Sequence, residues 1–245
     1  MMTIRLANPD TDYDRVAELL NLIETLPVTA DTIRSWDKRA GMILRREVAL
    51  DDDGEVIGYS ATSHAPWAPE RHFAIFVIVD PARRCRGIGS ALYDRALAFA
   101  RSSGANHLDA EVREDDPAAL RFAEKRGFTV AHHIFESRID LKTFDERPFV
   151  AALDSVLAQG VRIYSLADVG DTVEERRKLW QVNHDTSLTD PASDGTFPAF
   201  DEMLDIWRNA DWFNPAGQFL AVDGDTPVAM AAVGYFRQSN SFYNL

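Results

Sequence analysis

Arg84, Arg86, Gly87, Gly89 and Ser90 fall within one short turn and could together hold an anion. Gly87 and Gly89 carry no side chain to block a close approach, and a helix beginning there would point unpaired backbone N–H groups outward. The helix dipole and the guanidinium charges then favour a phosphate ligand, most naturally a pyrophosphate. Such a cradle needs a strand to aim it and a helix to supply the amides. Ala74 to Val79 is an apolar, strand-like run that leads into the turn. Ile88, Leu92, Ala96 and Phe99 then share one side of a helix that Gly104 stops. Gly89 is not followed by a glycine three positions on, so the spacing is not that of a dinucleotide-binding turn.

Leu108 to Val112 reads as the next strand, and a short helix from Pro117 follows, closed by Gly127-Phe128. With Arg84-x-x-Gly87-x-Gly89 between strand and helix, this order resembles the GCN5-related N-acetyltransferase family, whose cofactor loop reads Arg/Gln-x-x-Gly-x-Gly/Ala. The resemblance spans residues 3 to 142. It implies acetyl-CoA as co-substrate, bound by Val77, Ile78 and Val79 of the strand and by Arg84, Cys85, Arg86, Gly87, Ile88, Gly89 and Ser90 of the turn. Asp116 and Ala119, at the start of the following helix, complete the set. In this family two neighbouring strands splay apart and the pantetheine arm lies between them, here along Phe76–Val79 facing Leu108–Val112. A backbone N–H near Val77–Val79 would then meet the developing oxyanion.

Two positions depart from the family pattern. Phe73 stands where a glutamate base is found in some members, and Ala123 where others have a tyrosine acid. His64, His72 and Glu111 are the substitutes available for proton removal. Water is an alternative carrier, because an α-amino group with a pKa of ~8 is already partly neutral near pH 7. Asp116 stands in place of a frequent asparagine, and with Pro117 after it also reads as a helix N-cap. Cys85 has no base or orienting partner nearby in sequence, which gives it no nucleophilic role. No metal is expected, since His132 and His133 would point to opposite faces of a strand.

The reaction implied is acetyl transfer from acetyl-CoA to a primary amine of a small metabolite. Acetylation of a protein amine and a non-catalytic acyl-CoA-binding module are the alternatives. A net charge of −13 repels nucleic acid and anionic lipid and suits a cationic amine. One cysteine among 245 residues excludes an internal disulfide and fits a reducing cytoplasm. The first residues lack the pattern of a signal peptide, and no apolar run approaches the length of a membrane span.

The elements ahead of the turn begin with a strand, Thr3–Leu6. A helix with Val16, Leu19, Leu20 and Ile23 on one face follows, then a second helical stretch near Asp31. Glu47–Leu50 and Val56–Tyr59 form a hairpin around Asp51–Gly54, and Phe128–Val130 with Ile134–Leu141 suggests a last strand pair. The fold class is α/β (α+β), a mixed, largely antiparallel sheet flanked by helices.

Beyond this first domain (1–142), residues 143–160 carry a linking helix with Phe149, Leu153 and Leu157 on one stripe and Gly160 as its stop. The plan then restarts over 161–245. Val161–Ala167 matches the first strand, Val173–Trp180 the first helix, and Phe219–Asp225 with Val228 the hairpin. Ala49 and Ala221 are 172 positions apart, as are Val56 and Val228, whereas Ile4 and Ile163 are 159 apart. The excess is expected in the Ser187–Phe200 loop. This partial second copy has no anion turn, and the sequence ends where its acyl-CoA strand would begin. Ala229–Tyr235 would then be a bare apolar edge, which makes a homodimer through the second half possible. Trp180, Trp207, Trp212 and Phe213 read as core or interface packing, or as an aromatic substrate pocket.

Overall fold

The computed structural model describes residues 2–135, 137, 139–189, 195–210, 212–236 and 240–244. Its first sheet runs in the order β1 (Thr3–Leu6), β2 (Ile43–Leu50), β3 (Val56–His64), β4 (His72–Val79) and β5 (His107–Asp109). Pairing is antiparallel from β1 to β4, while β5 runs parallel to β4. Helices α1 (Tyr13–Leu20) and α2 (Ala30–Asp37) bury Tyr13, Val16, Leu19, Leu20 and Ile33 against Tyr59 and Ile78. Thr29 caps α2, accepting from Thr32 N at 3.1 Å, while Thr32 Oγ1 accepts from Thr29 N.

Helix α3 (Ile88–Ser102) supplies Ile88 and Leu92 to a second cluster with Ala49, Ile57, Val77 and Val79. Gly58 lets it approach so closely. A Cβ there would lie 3.0 Å from Leu92 Cδ1 and 3.2 Å from both the Ile78 carbonyl and Ile88 Cγ2. The sheet is thus dressed on both sides, as the amphipathic patterns require.

Several expectations need correction. β4 begins two residues earlier than its apolar run, because Arg71 turns the chain at φ +66° and His72 already pairs with His107. β5 ends at Asp109 rather than Val112: its partners on β4 stop at Ala74, and residues 110–112 form no ladder. Phe128–Val130 forms no strand, nor does Ile134–Phe135, and Val130, Ile134 and Phe135 are exposed. Ser137 and residues 139–141 are likewise outside any strand, while Glu136 and Arg138 lie outside the described residues. His132 and His133 are therefore not strand neighbours, and that reason for excluding a metal falls away. The helix expected over 143–160 is α5 (Arg147–Ala158), followed by Gly160 at φ +90°.

The chain divides into two compact units that do not follow chain order. One holds residues 1–122, 196–211 and 236–241, and the other 123–195, 212–235 and 242–245. Helix α7 (Phe200–Asn209), with Phe200, Leu204 and Trp207 buried, therefore groups with the first unit. α4 (Pro117–Glu124) spans the division in sequence.

The second sheet has the order β6 (Arg162–Ser165), β7 (Gln218–Asp223), β8 (Thr226–Phe236) and β9 (Ser241–Asn244). Its registers repeat those of the first. Ile163 faces Ala221 as Ile4 faces Ala49, and both hairpins shift register right after that alanine. The second turn is one residue shorter, so Ile57, not Val56, is the counterpart of Val228: each is the residue skipped at the bulge. Helix α6 (Val173–Thr189) has 17 residues against 8 in α1, so much of the excess is helical instead of lying in the expected loop. Residues 190–194 of that loop lie outside the described residues. The β8 edge is not bare along its whole length, since β9 neighbours it. Trp212 and Phe213 meet at 6.0 Å, and Arg176 lies 4.8 Å from the Phe213 ring.

Candidate active site

The ladder between β4 and β5 covers only His72–Ala74. From Ile75 onward β4 keeps β3 on one side and, among the described residues, has no strand on the other. Asp80 N donates to Ile57 O at 3.0 Å, so by alternation the backbone groups of Ile78 and Phe76 face β3. Those of Val77 and Val79 face the open side, where Arg84 Nε approaches the Val79 carbonyl at 3.4 Å. Ile78 is therefore apart from the other expected cofactor residues: its backbone is used within the sheet and its side chain is buried.

The open edge runs into the turn. Asp80 stiffens its start, accepting from Ala82 N at 2.9 Å and from Arg15 Nη2 at 2.5 Å, and Pro81–Arg83 form a single 3-10 turn. Cys85 and Gly87 both take left-handed conformations, at φ +63° and +82°. At Gly87 a Cβ would meet nothing within 4 Å, so conformation, not space, explains the glycine. At Gly89 a Cβ would make only ordinary contacts, 3.4 Å from Phe122 and 3.5 Å from Val79, so neither space within the protein nor backbone conformation requires the glycine. The first bond of α3 runs from Ala91 N to Gly87 O, so the amides of residues 88–90 precede the helix ladder. Their dipoles sum at an exposed surface beside Arg86, which is exposed and has no hydrogen-bond or ion-pair partner among the described residues.

Arg84 has a different position from the one expected for a free phosphate ligand. Its Nη1 donates to Asp116 Oδ2 at 3.0 Å, so it ties the turn to the start of α4. Asp116 is the N-cap, accepting from the amides of Ala118 and Ala119 at 3.0 Å each. The Ala119 amide, helped by Arg84, holds the Asp116 carboxyl below its ordinary range. Arg83 reaches across to Asp51 Oδ2 at 3.0 Å and fixes the turn to the β2–β3 hairpin. The expected residues Val77, Val79, Cys85, Arg86, Gly87, Ile88, Gly89 and Ser90 thus follow the β4 edge into the turn and the start of α3, and Arg84 is joined to Asp116, which also accepts from the Ala119 amide.

The three proposed bases separate. His64 Nδ1 is 2.7 Å from the His72 carbonyl, and its ring stacks on Phe73 with centroids 5.1 Å apart. His72 stacks on His107 at 4.2 Å. Both lie at the closed end of the β4–β5 pair, with His72 seven residues, ~23 Å, from Val79. Glu111 instead follows the point where the strands part. It neighbours Glu24, whose carboxyl is pushed up by crowding and by the Glu111 charge. Arg113 Nη1 holds the same segment against the Ile23 carbonyl at 3.1 Å. Glu24 was missed in the sequence, where it reads as an ordinary polar residue after an amphipathic helix.

A buried polar chain backs the α1–α2 side of the sheet. Tyr13 Oη donates to Asp37 Oδ2 at 2.5 Å, Arg46 Nε donates to Asp37 Oδ1 at 2.7 Å, and Arg46 Nη1 donates to Tyr59 Oη. Burial, with Asp37 adjacent, keeps the Tyr13 hydroxyl protonated; burial does the same for Tyr59. A cavity of about 370 Å³ lies elsewhere, between α2 and the end of α7, and is lined by Asp31, Arg34, Lys38 and Arg208. It contains none of the groups just described.

Residues 14–128 match the model of the Acetyltransferase (GNAT) family. A mycothiol acetyltransferase of Nocardia farcinica is 32% identical over 74% of this chain and 54% of its own length. One from Geodermatophilus obscurus is 27% identical over 87% of this chain and 68% of its own. The chain thus spans about half to two-thirds of the length of these relatives. A streptothricin acetyltransferase of Streptomyces lavendulae is 36% identical over 34% of this chain and 44% of its own length. Among solved structures, a GCN5-related glucosamine N-acetyltransferase region of a fungal multi-domain β-N-acetylglucosaminidase has a TM-score of 0.64. It covers 95% of this chain and 28% of the other at 16% identity, a likeness of fold alone.

Proposed function

The chain belongs, through residues 14–128, to the GNAT family of acetyltransferases, and on that premise we propose that it transfers acetyl from acetyl-CoA to a primary amine of a small molecule. The observation that carries this reading is the open β4 edge, with the Val77 and Val79 backbone groups unclaimed by any strand among the described residues, running directly into the α3 amides. The residues fit the cofactor. Gly89 presents no side chain beside the first α3 amides, and Gly87 takes its left-handed backbone without the strain a side chain would add.

The α3 amides and Arg86 hold the pyrophosphate, and the Val77 and Val79 edge pairs with the pantetheine amides as an added strand would. Acetyl-CoA supplies a thioester whose carbonyl carbon the amine nitrogen attacks, forming the C–N bond as the C–S bond breaks. An open-side N–H of β4 donates to the carbonyl oxygen as it gains charge. Glu111 takes the proton the amine must lose, directly or through water, and the neighbouring Glu24 carboxylate favours a cationic acceptor. Proton removal is assigned to neither Phe73 nor Ala123, which have no ionisable group. The small-molecule class follows the mycothiol and streptothricin acetyltransferase relatives. Residues 161–245 contain no counterpart of the Arg84–Ser90 turn in their sequence and are assigned no part in holding the cofactor.

Release of free thiol from acetyl-CoA, followed across a panel of small amines and peptides, tests this reading. At least one small amine should drive release, and Glu111→Gln should slow it by ~10²-fold or more at neutral pH. Binding of acetyl-CoA with no amine-dependent release would show a binding module instead.

A further inference from the structure

His72, His107 and Asp109 form a cluster outside the site just described, and we propose that it binds a divalent transition-metal ion of the zinc class. Their candidate ligand atoms all lie within 4.8 Å of one another. The register of β4 and β5 produces this arrangement. His72 sits opposite His107, and Ala74 sits opposite Asp109, so the four occupy one face of a two-strand pair. Three corners carry ligand groups. The fourth is alanine, whose small side chain leaves room for the carboxylate to turn back toward the rings and for water to complete the coordination.

The contacts already converge. Asp109 Oδ1 lies 3.2 Å from His107 Nε2, and Asp109 Oδ2 lies 3.8 Å from His72 Nδ1. Bonds of ~2.0–2.1 Å in a tetrahedral site place ligand atoms about 3.3 Å apart, and the two rings, stacked 18° from parallel with centroids 4.2 Å apart, must turn out of that stack for both nitrogen lone pairs to meet at the ion. All three side chains are at least a third exposed and free to turn. Two imidazoles and one carboxylate select a borderline ion such as Zn²⁺ or Co²⁺ over Mg²⁺ or Ca²⁺, which prefer all-oxygen shells.

The backbone beneath is braced. Arg71 O accepts from both Asn106 N and His107 N, at 3.1 and 3.3 Å. Arg71 itself holds φ +66°, an uncommon conformation for a residue other than glycine. Its Nε donates to Gly104 O at 2.9 Å. The backbones of His72 and His107 are thus fixed relative to one another before any ion arrives. An ion here would staple β4 to β5 just short of the point where the strands part.

The test is a Co²⁺ titration of the full, tag-free chain, read by visible d–d absorption and by Zn²⁺ displacement. One equivalent should give the bands and Zn²⁺ should remove them. His107→Ala, at a side chain 54% exposed, should weaken Co²⁺ binding by at least about tenfold, and Asp109→Asn should also weaken it. The thermal midpoint should rise with Zn²⁺ and not with Mg²⁺, and that rise should vanish in His107→Ala. Absence of the bands would overturn the proposal. So would bands unchanged in both variants, which would place the ion on other histidines.

Discussion

Glu47 is 1% exposed in the middle of β2, where Arg45 Nη2 and Arg95 Nη2 donate to its Oε1 at 2.9 and 2.5 Å. Burial alone would raise its pKa, but the hydrogen bonds from Arg95 and Arg45 outweigh burial and the net shift is downward. A carboxyl with a folded pKa below its unfolded value stabilises the fold above the ordinary carboxylate range. That contribution is lost as pH falls through the folded pKa. Asp12, held below its usual range mainly by Arg5 against the cost of burial, acts in the same direction. Glu47→Gln should therefore cost about 1–3 kcal/mol at pH 7 and much less at pH 3, as urea midpoints at the two pH values would show. An equal loss at both would mean that packing, not charge, is responsible. Nothing in the sequence marks Glu47 as buried, because Arg95 arrives from a helix 48 positions away. The left-handed turn at Gly87 and the Asp116 cap were legible for the opposite reason: both are local, and the amides Asp116 caps lie within three residues of it.

At the scale of elements, the opening between β4 and β5 was expected from the resemblance, but its extent was not. Leu108–Val112 alternates like a strand whether or not a partner exists, and the ladder stops at Asp109 because β4 and β5 diverge there. The same limit explains Phe128–Val130 and Ile134–Phe135, whose apolar residues are exposed rather than paired. Hairpins were easier, since an Asp-Gly turn fixes both neighbours: β2 and β3 pair around residues 51–54 as read. If the open edge is the cofactor's path, the Val77 and Val79 amides should exchange hydrogen faster than those of Phe76 and Ile78 in the free protein. Acetyl-CoA should slow Val77 and Val79 selectively. Uniform slow exchange along β4 without ligand would mean that the edge is covered.

At the scale of the molecule, the two sheets share strand order and register through their first strands, and the first continues from β4 into the glycine turn and α3. The matching registers of the two hairpins follow the sequence offset read between Ala49 and Ala221, which slips by one position at a turn whose length differs. The discontinuous first unit, which takes in α7 from late in the chain, was not legible, since packing between distant segments leaves no periodic trace. Among the described residues no helix is long and apolar enough to cross a membrane. We propose that β4, the turn and α3 together form the acetyl-CoA site of this chain. Calorimetric titration of acetyl-CoA into the full chain tests this most directly, alongside a Gly87→Glu variant shown to be folded by circular dichroism. The expected result is one site per chain in the wild type and no measurable binding in the variant. Two sites per chain, or undiminished affinity in the folded variant, would contradict the account.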